Sequence, residues 1–261
     1  MLKSLNTAAT GMSAQQENMD VIANNMANVN TTGFKKARAE FEDLMYHTVK
    51  EPGAVSGLNS VSPTGVQVGL GVRTSAVTKD FEDGATKVTK SPFDLQVEGN
   101  GFFAVQMQDG AVGYTRDGSF KKDPTGKIVD KNGNALIPQI SIPADASAVE
   151  VLPNGQVNVA TGKSMQTQNI GQIELTSFVN PAGLKSMGKN IFIQSPASGQ
   201  PQVGTPGQGI FGEVAQGQLE TSNVNIVDEM VNMITTQRAM ETNSKVMQAS
   251  DQMLQYMNNL R

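Results

Sequence analysis

Cysteine and tryptophan are absent from the 261-residue sequence, and histidine occurs once, as His47. Without cysteine, the chain can form neither a disulfide framework nor a thiolate nucleophile nor a cysteine-type zinc site. A serine hydrolase would need His47 as its base, and the sequence contains no G-x-S-x-G nucleophile motif. A lone histidine also supplies too few ligands for a metal site. We therefore expect no catalytic residue, no metal and no cofactor.

The sequence also lacks a strong excess of one charge and any long apolar run. Its 20 basic and 24 acidic residues give a net charge of −4, and they are spread without long clusters. We therefore expect neither nucleic acid nor an anionic membrane surface as a partner. No apolar stretch approaches the ~20 residues that a membrane-spanning helix needs, and the N-terminus lacks the apolar core of a secretory signal. We expect no direct membrane insertion and, if the chain is exported, a route without a cleaved signal peptide.

Two patterns raise enzyme alternatives without favouring them. Residues 207–212 match G-x-G-x-x-G, but a Pro/Gly-rich loop precedes them and no helical pattern follows, so they do not indicate a dinucleotide site. A glycosidase needs only two carboxylates, which any chain offers. Sugar sites are commonly lined with tryptophan and tyrosine, and this chain has no tryptophan and three tyrosines. A carbohydrate-active protein therefore stays open as a weaker alternative.

Both ends of the chain carry a helical apolar pattern. In residues 2–29, steps of three and four residues select mostly apolar positions, and in residues 223–260, which lack proline and glycine, methionine recurs every seven residues. Helices of about 42 Å and about 55 Å would result, so the two ends can pair. Candidate N-caps for the second helix are Thr221, Ser222 and Asn223. The predicted subunit-packing seam comprises Leu5, Met12, Met19, Ile22, Met26, Val29, Met233, Met240, Met247 and Leu254.

The middle of the chain is rich in glycine, proline and β-branched residues. Short runs such as FDLQVEG, GFFAVQM and KIVD, separated by turns such as Asp109-Gly110 and Asn132-Gly133, predict a β-meander. The predicted fold class is α+β, with long N- and C-terminal helices paired as a coiled-coil-like layer that brackets a mainly antiparallel β middle region. Three domains are predicted: residues 1–33 with 223–261 as a terminal helical domain, 34–92 with 205–222 as an extended β-rich connecting region, and 93–204 as an outer β-domain.

The end of the first helix lies in the run ANNMANVNTTGFKK. We expect Asn24, Asn25 and Asn28 to lie beside the seam, where amides bond neighbouring groups without the desolvation cost of charges. The sequence after Asn30 then stops the helix, with Gly33 free to take a positive φ. We expect Phe34 to anchor this helix exit, formed by Asn30, Gly33 and Phe34, in the β layer.

Two long stretches resemble the signatures of the bacterial flagellar basal-body rod family. TAATGMSAQQENMDVIANNMANVNTTGFKK, at 7–36, resembles its N-terminal signature, and QGQLETSNVNIVDEMVNMITTQRAMETNSKVMQASDQMLQ, at 216–255, its C-terminal one. NGFFAVQ and YTRDGSF resemble β-domain motifs of the family, so the resemblance covers essentially the whole chain. Within the family, residues 41–73 are most similar to the distal-rod stretch, in their Y-x-T-x-x-x-P-G and G-x-G-V-R patterns. One departure is Met240, where many members carry an aromatic residue.

The resemblance implies a structural subunit of the flagellar distal rod, a straight hollow helical drive shaft that transmits motor torque to the hook and encloses the export channel. It implies as partners copies of itself in a helical lattice, proximal rod and hook-side axial proteins at its ends, the surrounding outer-membrane and peptidoglycan ring proteins, and the flagellar type III export apparatus. The implied location is the flagellar basal body, spanning the periplasm.

In the distal rod family, the stretch that follows the first helix stiffens the rod. The resemblance implies this role for Tyr46, Pro52, Gly53, Pro63 and Gly65, which lie in an extended, glycine-containing segment. Two alternatives stay open: a proximal rod subunit of the same family and, more weakly, a carbohydrate-active or adhesin-like β-protein with coiled-coil ends.

Overall fold

The computed structural model describes residues 2–52, 55–57, 60–61, 64–161 and 166–259. The chain divides into two compact units. The first unit comprises Met1–Ala27, Ala37–Thr78 and Asn225–Arg261, and the second comprises Asn28–Lys36 and Lys79–Val224. The division into three domains stays a prediction.

Two long helices dominate the described part of the first unit. Helix α1 spans Leu2–Ala27, and helix α2 spans Ile226–Asn259. The two helices pack against each other in antiparallel directions, because residues late in α1 contact residues early in α2. Neither helix described here combines the length and apolarity needed to cross a bilayer.

The N-cap of α2 differs from the sequence-based expectation of Thr221, Ser222 or Asn223. Helix α2 begins at Ile226, and the side chain of Asn225 accepts a hydrogen bond from the Val227 amide at 3.1 Å. Asparagine at this position satisfies one of the amides that the first helical turn leaves unpaired. The acidic side chains of the first turn, Asp228 and Glu229, suit the positive end of the helix dipole.

Short strands fill the rest of the first unit. Strands β1 (Ala37–Asp43) and β6 (Val72–Lys79) form one two-stranded sheet, which reaches the boundary with the second unit. The segment predicted to be extended forms β2 (Tyr46–Lys50), which pairs with β5 (Val66–Gly69), and β3 (Val55–Gly57), which pairs with β4 (Ser60–Val61).

The second unit is built of antiparallel strands joined by tight turns, as the sequence predicts. Its strands are β7 (Thr86–Val88), β8 (Leu95–Glu98), β9 (Phe102–Gln106), β10 (Val112–Thr115), β11 (Lys121–Lys122), β12 (Ile128–Val129), β13 (Ala135–Ile137), β14 (Ala146–Val151), β15 (Gln156–Thr161), β16 (Gln166–Gln172), β17 (Leu175–Ser177), β18 (Lys185–Gly188), β19 (Ile191–Ile193), β20 (Gln202–Gly204), β21 (Glu213–Gln216) and β22 (Gln218–Glu220). The largest sheet among the described residues has nine strands and runs β11-β12-β13-β9-β10-β19-β18, with β17 also beside β9 and β20 beside β17. Strands β14, β15 and β16 form a second sheet, while β21 pairs with β8 and β22 with β7.

Strand β9 shows why the second unit has a core on both faces of its large sheet. Because successive side chains of a strand point to opposite faces, Phe103 and Val105 enter one apolar cluster while Phe102 and Ala104 enter another. The first cluster contains Leu95, Val97, Phe103, Val105, Phe120, Ile128, Leu136, Ile140, Ile142, Val151, Val157, Val159, Ile173, Leu175 and Val214. The second contains Phe102, Ala104, Tyr114, Phe178 and Phe192, and its aromatic rings meet edge to face.

Candidate assembly site

The contact between α1 and α2 is centred on polar residues spaced seven apart. Asn18 donates a hydrogen bond to the Thr236 hydroxyl at 3.1 Å. Seven residues later in α1, Asn25 donates to Glu229 at 3.4 Å. A spacing of seven residues returns each position to nearly the same side of a helix, so these contacts form one row along the interface.

The third member of this row is a glycine against an asparagine. A Cβ atom at Gly11 would lie 3.0 Å from the amide nitrogen of Asn243, so the helices approach closely there. We call the residues Gly11, Asn18, Asn25, Glu229, Thr236 and Asn243 the polar row. A polar pair at such a position disfavours shifted helix registers, since a shift leaves its members unpaired.

Asn25 also joins α1 to the first strand of its unit. Its side-chain amide donates to the Ala37 carbonyl at 2.8 Å, and its side-chain oxygen accepts from the Ala37 amide at 2.9 Å. The side chain is buried, so these bonds satisfy an amide that would otherwise be costly to desolvate. The expectation that an amide of this run bonds neighbouring groups is confirmed for Asn25.

The polar residues of α2 that face α1 are the part of the interface that the sequence did not reveal to us. Glu229, Thr236 and Asn243 recur every seven residues, and each is buried or half-buried, while the buried Ser250 continues the same spacing along α2. The signal was present as a seven-residue polar repeat beside the methionine repeat. The apolar periodicity of α2 does not contain this signal.

The predicted seam residues flank this row. Ile22 is buried, and Leu5, Met12, Met19, Met26, Val29, Met233, Met240, Met247 and Leu254 are half-buried. Val29 follows the end of α1 and belongs to the second unit. The contribution of these side chains to contacts between copies stays a prediction.

Helix α2 carries a second apolar surface near its start. Its large apolar side chains are 45–62% exposed. We call this surface, with its members Ile226, Val227, Met230, Val231 and Ile234, the outer face. At about 100° per residue, Val227, Met230, Val231 and Ile234 lie on the side of α2 away from the polar row, and Ile226 lies at the edge of the outer face, in line with Met233 of the seam. Contiguous exposed apolar side chains of this kind mark interaction sites.

The residues of the proposed rod-stiffening segment whose burial is described are mostly exposed. Strand β2 is exposed along its whole length, including Tyr46 and His47, and Val66 and Val68 of its partner strand are exposed as well. A hydrogen bond to Asp43 raises the pKa of the Tyr46 hydroxyl.

Two of the five predicted stiffening residues lie outside the described residues, namely Gly53 and Pro63. Pro52 is exposed. A Cβ atom at Gly65 would lie 2.7 Å from the Lys50 carbonyl oxygen, so the chain passes closely at this position.

The predicted helix exit enters the second unit. Asn30 is exposed, whereas Gly33 and Phe34 are buried. Gly33 has a φ of 66°, and a Cβ atom there would lie 2.6 Å from the Asp117 amide nitrogen. Both the backbone conformation and the close approach require glycine. The Phe34 ring lies 5.7 Å from the Lys79 ammonium.

Comparison with known proteins places flagellar families along the chain. Residues 5–35 match the family described as "Flagella basal body rod protein", residues 96–159 match "Flagellar hook protein FlgE/F/G D1 domain", and residues 215–260 match "Flagellar basal body rod FlgEFG protein C-terminal".

Several whole-length relatives carry the name "Flagellar basal-body rod protein FlgG", and a more distant one, 29% identical over the full length of both chains, is "Flagellar hook-basal body complex protein FlhP" of Bacillus subtilis. The chain is 46% identical to the protein of Buchnera aphidicola subsp. Baizongia pistaciae, over 98% of both chains. It is 46% identical to that of Borreliella burgdorferi over all of this chain and 99% of the relative. It is 43% identical to that of Caulobacter vibrioides over the full length of both.

Proposed function

This chain belongs to the flagellar basal-body rod protein family, and from that premise we propose that it is the structural subunit of the distal rod. The family consists of structural parts of the flagellar basal body and not of enzymes. The distal rod is preferred to the proximal rod because relatives named FlgG, the distal rod protein, are 43–46% identical to this chain over 98% or more of it, whereas the full-length relative FlhP is 29% identical.

One observation carries the assembly mechanism: α2 has an outer apolar face on the side opposite its contact with α1. Among the described residues of the first unit, Ile22 is the one buried apolar side chain larger than alanine. The helix pair therefore buries little apolar surface by itself, and the outer face supplies more when a neighbouring copy covers it.

In the proposed contact, the outer face of one copy meets a different surface of the next copy, so the contact is heterologous. A heterologous contact whose rotation does not close generates an open helical filament, which is the geometry we propose here. We assign to this filament the straight hollow drive shaft that transmits motor torque to the hook and encloses the export channel. The helix pair is coiled-coil-like in this proposal, which the seven-residue spacing of the polar row supports.

The exposed strands after α1 provide a second contact between copies. Strands β2 and β5 expose Tyr46, Val49, Val66 and Val68. A neighbouring copy that covers these side chains would restrain bending of the filament, in keeping with a straight rod. Tyr46, Pro52, Gly53, Pro63 and Gly65 are the residues to which we assign this stiffening.

The proposed partners at the ends of the filament are the proximal rod and the hook-side axial proteins. Around it lie the peptidoglycan and outer-membrane ring proteins, since the rod spans the periplasm in this proposal. The subunit reaches its place through the flagellar type III export apparatus, without a cleaved signal peptide.

Electron microscopy of the purified, polymerised chain tests the proposal. We expect hollow, straight helical tubes from the wild type and none from the Ile234→Asp variant, which places a charge on the outer face. Burying an unpaired carboxylate in a contact between copies costs several kcal/mol. Met247→Asp tests the predicted seam in the same way.

The matched control is Thr235→Asp, because Thr235 is exposed, adjacent in sequence and polar. It introduces the same side chain into the same helix turn and should leave the tubes intact. Tubes that form equally from wild type, Ile234→Asp and Thr235→Asp would contradict the proposed contact, and a wild type that forms closed rings would contradict the rod.

A further inference from the structure

Three charged side chains are buried together in the second unit. The side chains of Lys35, Glu220 and Arg116 are 0%, 1% and 2% exposed. The Lys35 ammonium lies 2.6 Å from one carboxylate oxygen of Glu220, and the Arg116 guanidinium lies 3.6 Å from the other. Burial and the Arg116 charge lower the pKa of Lys35, although Glu220 opposes them. A buried group of this kind requires an explanation, since an ion pair in the interior contributes little net stability.

The bonds of Lys35 and Glu220 reach a third segment of the chain. Lys35 donates to the Glu82 carbonyl at 2.6 Å and to the Phe81 carbonyl at 3.4 Å. The Glu220 carboxylate accepts from the Gly84 amide at 2.9 Å. Each charged group is therefore bonded both to the other and to the backbone of residues 81–84.

Backbone groups join the same segments. The Gly33 amide donates to the Glu220 carbonyl at 2.9 Å. The Asp80 amide donates to the Lys36 carbonyl at 2.9 Å. These bonds tie the segment after α1 to both of the others without using a charged side chain.

Asn223 repeats the pattern with a neutral side chain. Its side-chain oxygen accepts from the Lys36 amide at 2.8 Å. Its amide nitrogen donates to the Asp80 carbonyl at 3.0 Å and to the Glu82 carbonyl at 3.3 Å. One side chain thus bridges the two other segments, and we call Lys35, Arg116, Glu220 and Asn223 the junction cluster.

The junction cluster lies where the chain passes between the two units. The chain passes between the two units after residues 27, 36, 78 and 224. The three segments joined by the cluster, 33–36, 80–84 and 220–223, each end or begin within a few residues of one of the last three crossings. The cluster therefore holds together three of the four stretches of chain through which the second unit is covalently connected.

We propose that the junction cluster is a conformational clamp, which makes the three connecting segments of the second unit move as one body. Apolar side chains could fill the same space, but they would not fix the segments at defined positions, because apolar contacts are not directional. Lys35, Glu220 and Asn223 act as positioning residues. The consequence for the rod, that torque passes through three coupled connections and not through independent ones, rests on the proposed function.

The hydrogen bonds to the backbone also require a positive charge at position 35 and a negative charge at position 220. The carbonyl groups of Phe81 and Glu82 need a donor at position 35, and the Gly84 amide and Arg116 need an acceptor at position 220. Exchange of the pair, Lys35→Glu with Glu220→Lys, would place a carboxylate against the Phe81 and Glu82 carbonyls and an ammonium against the Gly84 amide and Arg116. The pair is therefore not a reversible charge match.

Amide hydrogen exchange on the purified full-length chain tests the clamp through Asn223→Ala, a change that leaves no buried charge unpaired. If Asn223 made only local bonds, its loss would speed exchange at the Lys36 amide alone, because that amide donates its hydrogen bond to the Asn223 side chain. The clamp predicts that exchange at Gly33 and Gly84 also quickens, by about tenfold or more, although neither amide bonds to Asn223.

Two controls define the outcome. Exchange in β9 should stay within about twofold of wild type, which shows that the core is intact. Lys36→Met removes the half-exposed Lys36–Asp80 ion pair, 3.2 Å long, from the same segment and should change neither Gly33 nor Gly84. Acceleration confined to Lys36 in Asn223→Ala would overturn the clamp. Because exchange is measured on the subunit, this result is independent of whether the wild type forms tubes.

Discussion

The two units of the chain bury different chemistry. In the first unit, the described buried side chains are Ala8, Ala14, Ile22, Asn25, Ala39, Glu229, Thr236 and Ser250. In the second unit, branched aliphatic and aromatic side chains fill two clusters on the two faces of one sheet. One interior is small and half polar, and the other is large and, apart from the junction cluster and other buried polar groups, apolar.

This difference assigns different tasks to the two interiors. Burial of apolar area supplies most of the free energy of folding, so the second unit has the means to be stable by itself. Polar pairs between helices contribute less stability but discriminate between registers. In the first unit, the polar row thus determines how the two helices pair. Further apolar burial comes from the outer face, in the proposed contact with another copy.

The largest change in stability that tests this contrast is expected from a cavity made in the core of the second unit. Phe103→Ala removes a fully buried ring that meets Phe120 edge to face at 5.2 Å between centroids. We expect a loss of about 3–5 kcal/mol in the free energy of unfolding, measured by denaturant titration of the monomer.

The control for Phe103→Ala is Val112→Ala in the adjacent strand, where the side chain is exposed. Its effect should stay within about 0.5 kcal/mol. A loss below about 1 kcal/mol for Phe103→Ala would break the contrast, because it would mean that the second unit does not depend on its apolar core.

A smaller effect is expected at the polar row of the first unit. Replacement of both Asn18 and Thr236 by leucine removes a hydrogen-bonded pair without leaving either partner unsatisfied, so stability should change by about 1 kcal/mol or less. The register, however, should become less defined. The absence of native cysteine allows a reporter disulfide between Gly11→Cys and Asn243→Cys, whose yield under mild oxidation measures the wild-type register.

We expect the double leucine variant to lower this disulfide yield by about fivefold, which corresponds to about 1 kcal/mol of lost register preference. The matched control carries leucine at Gln16 and Gln237, which are exposed in the same two helices. An unchanged yield in the Asn18→Leu, Thr236→Leu variant would show that the polar row does not set the register.

The sequence predicted the first level of this organisation and missed the second. Apolar spacing and the absence of proline and glycine located both helices, and turn dipeptides located the antiparallel β middle. Those signals are local, so they survive in a single sequence. The N-cap of α2 was placed two or more residues early, because several residues before Ile226 have side chains suited to capping.

The buried charges could not be predicted from the sequence because they depend on contacts distant along the chain. Lys35 and Glu220 are 185 positions apart, and nothing in the residues around either one distinguishes it from an exposed charge. Asn25 was within reach, since its run of amides was conspicuous. Its partners Ala37 and Glu229 could not be predicted, because they depend on which later segments of the chain fold back onto α1.

The smallest expected effect concerns Lys79, at the start of the second unit's long segment. Burial lowers the pKa of Lys79 below its ordinary value of 10.5, and its ammonium lies 4.8 Å from the centre of the Phe192 ring. Just below pH 10.5, the unfolded chain therefore binds more protons at this residue than the folded chain does. The contribution of Lys79 to stability accordingly rises with pH in that window and is constant at neutral pH. Lys79→Met abolishes this titration, so the free energy of unfolding of the wild type should gain on that of the variant as the pH approaches 10.5. Parallel curves of unfolding free energy against pH for the two proteins would show that Lys79 is solvated like a surface residue. The apolar environment of the second unit would then not extend to Lys79, where its long segment begins.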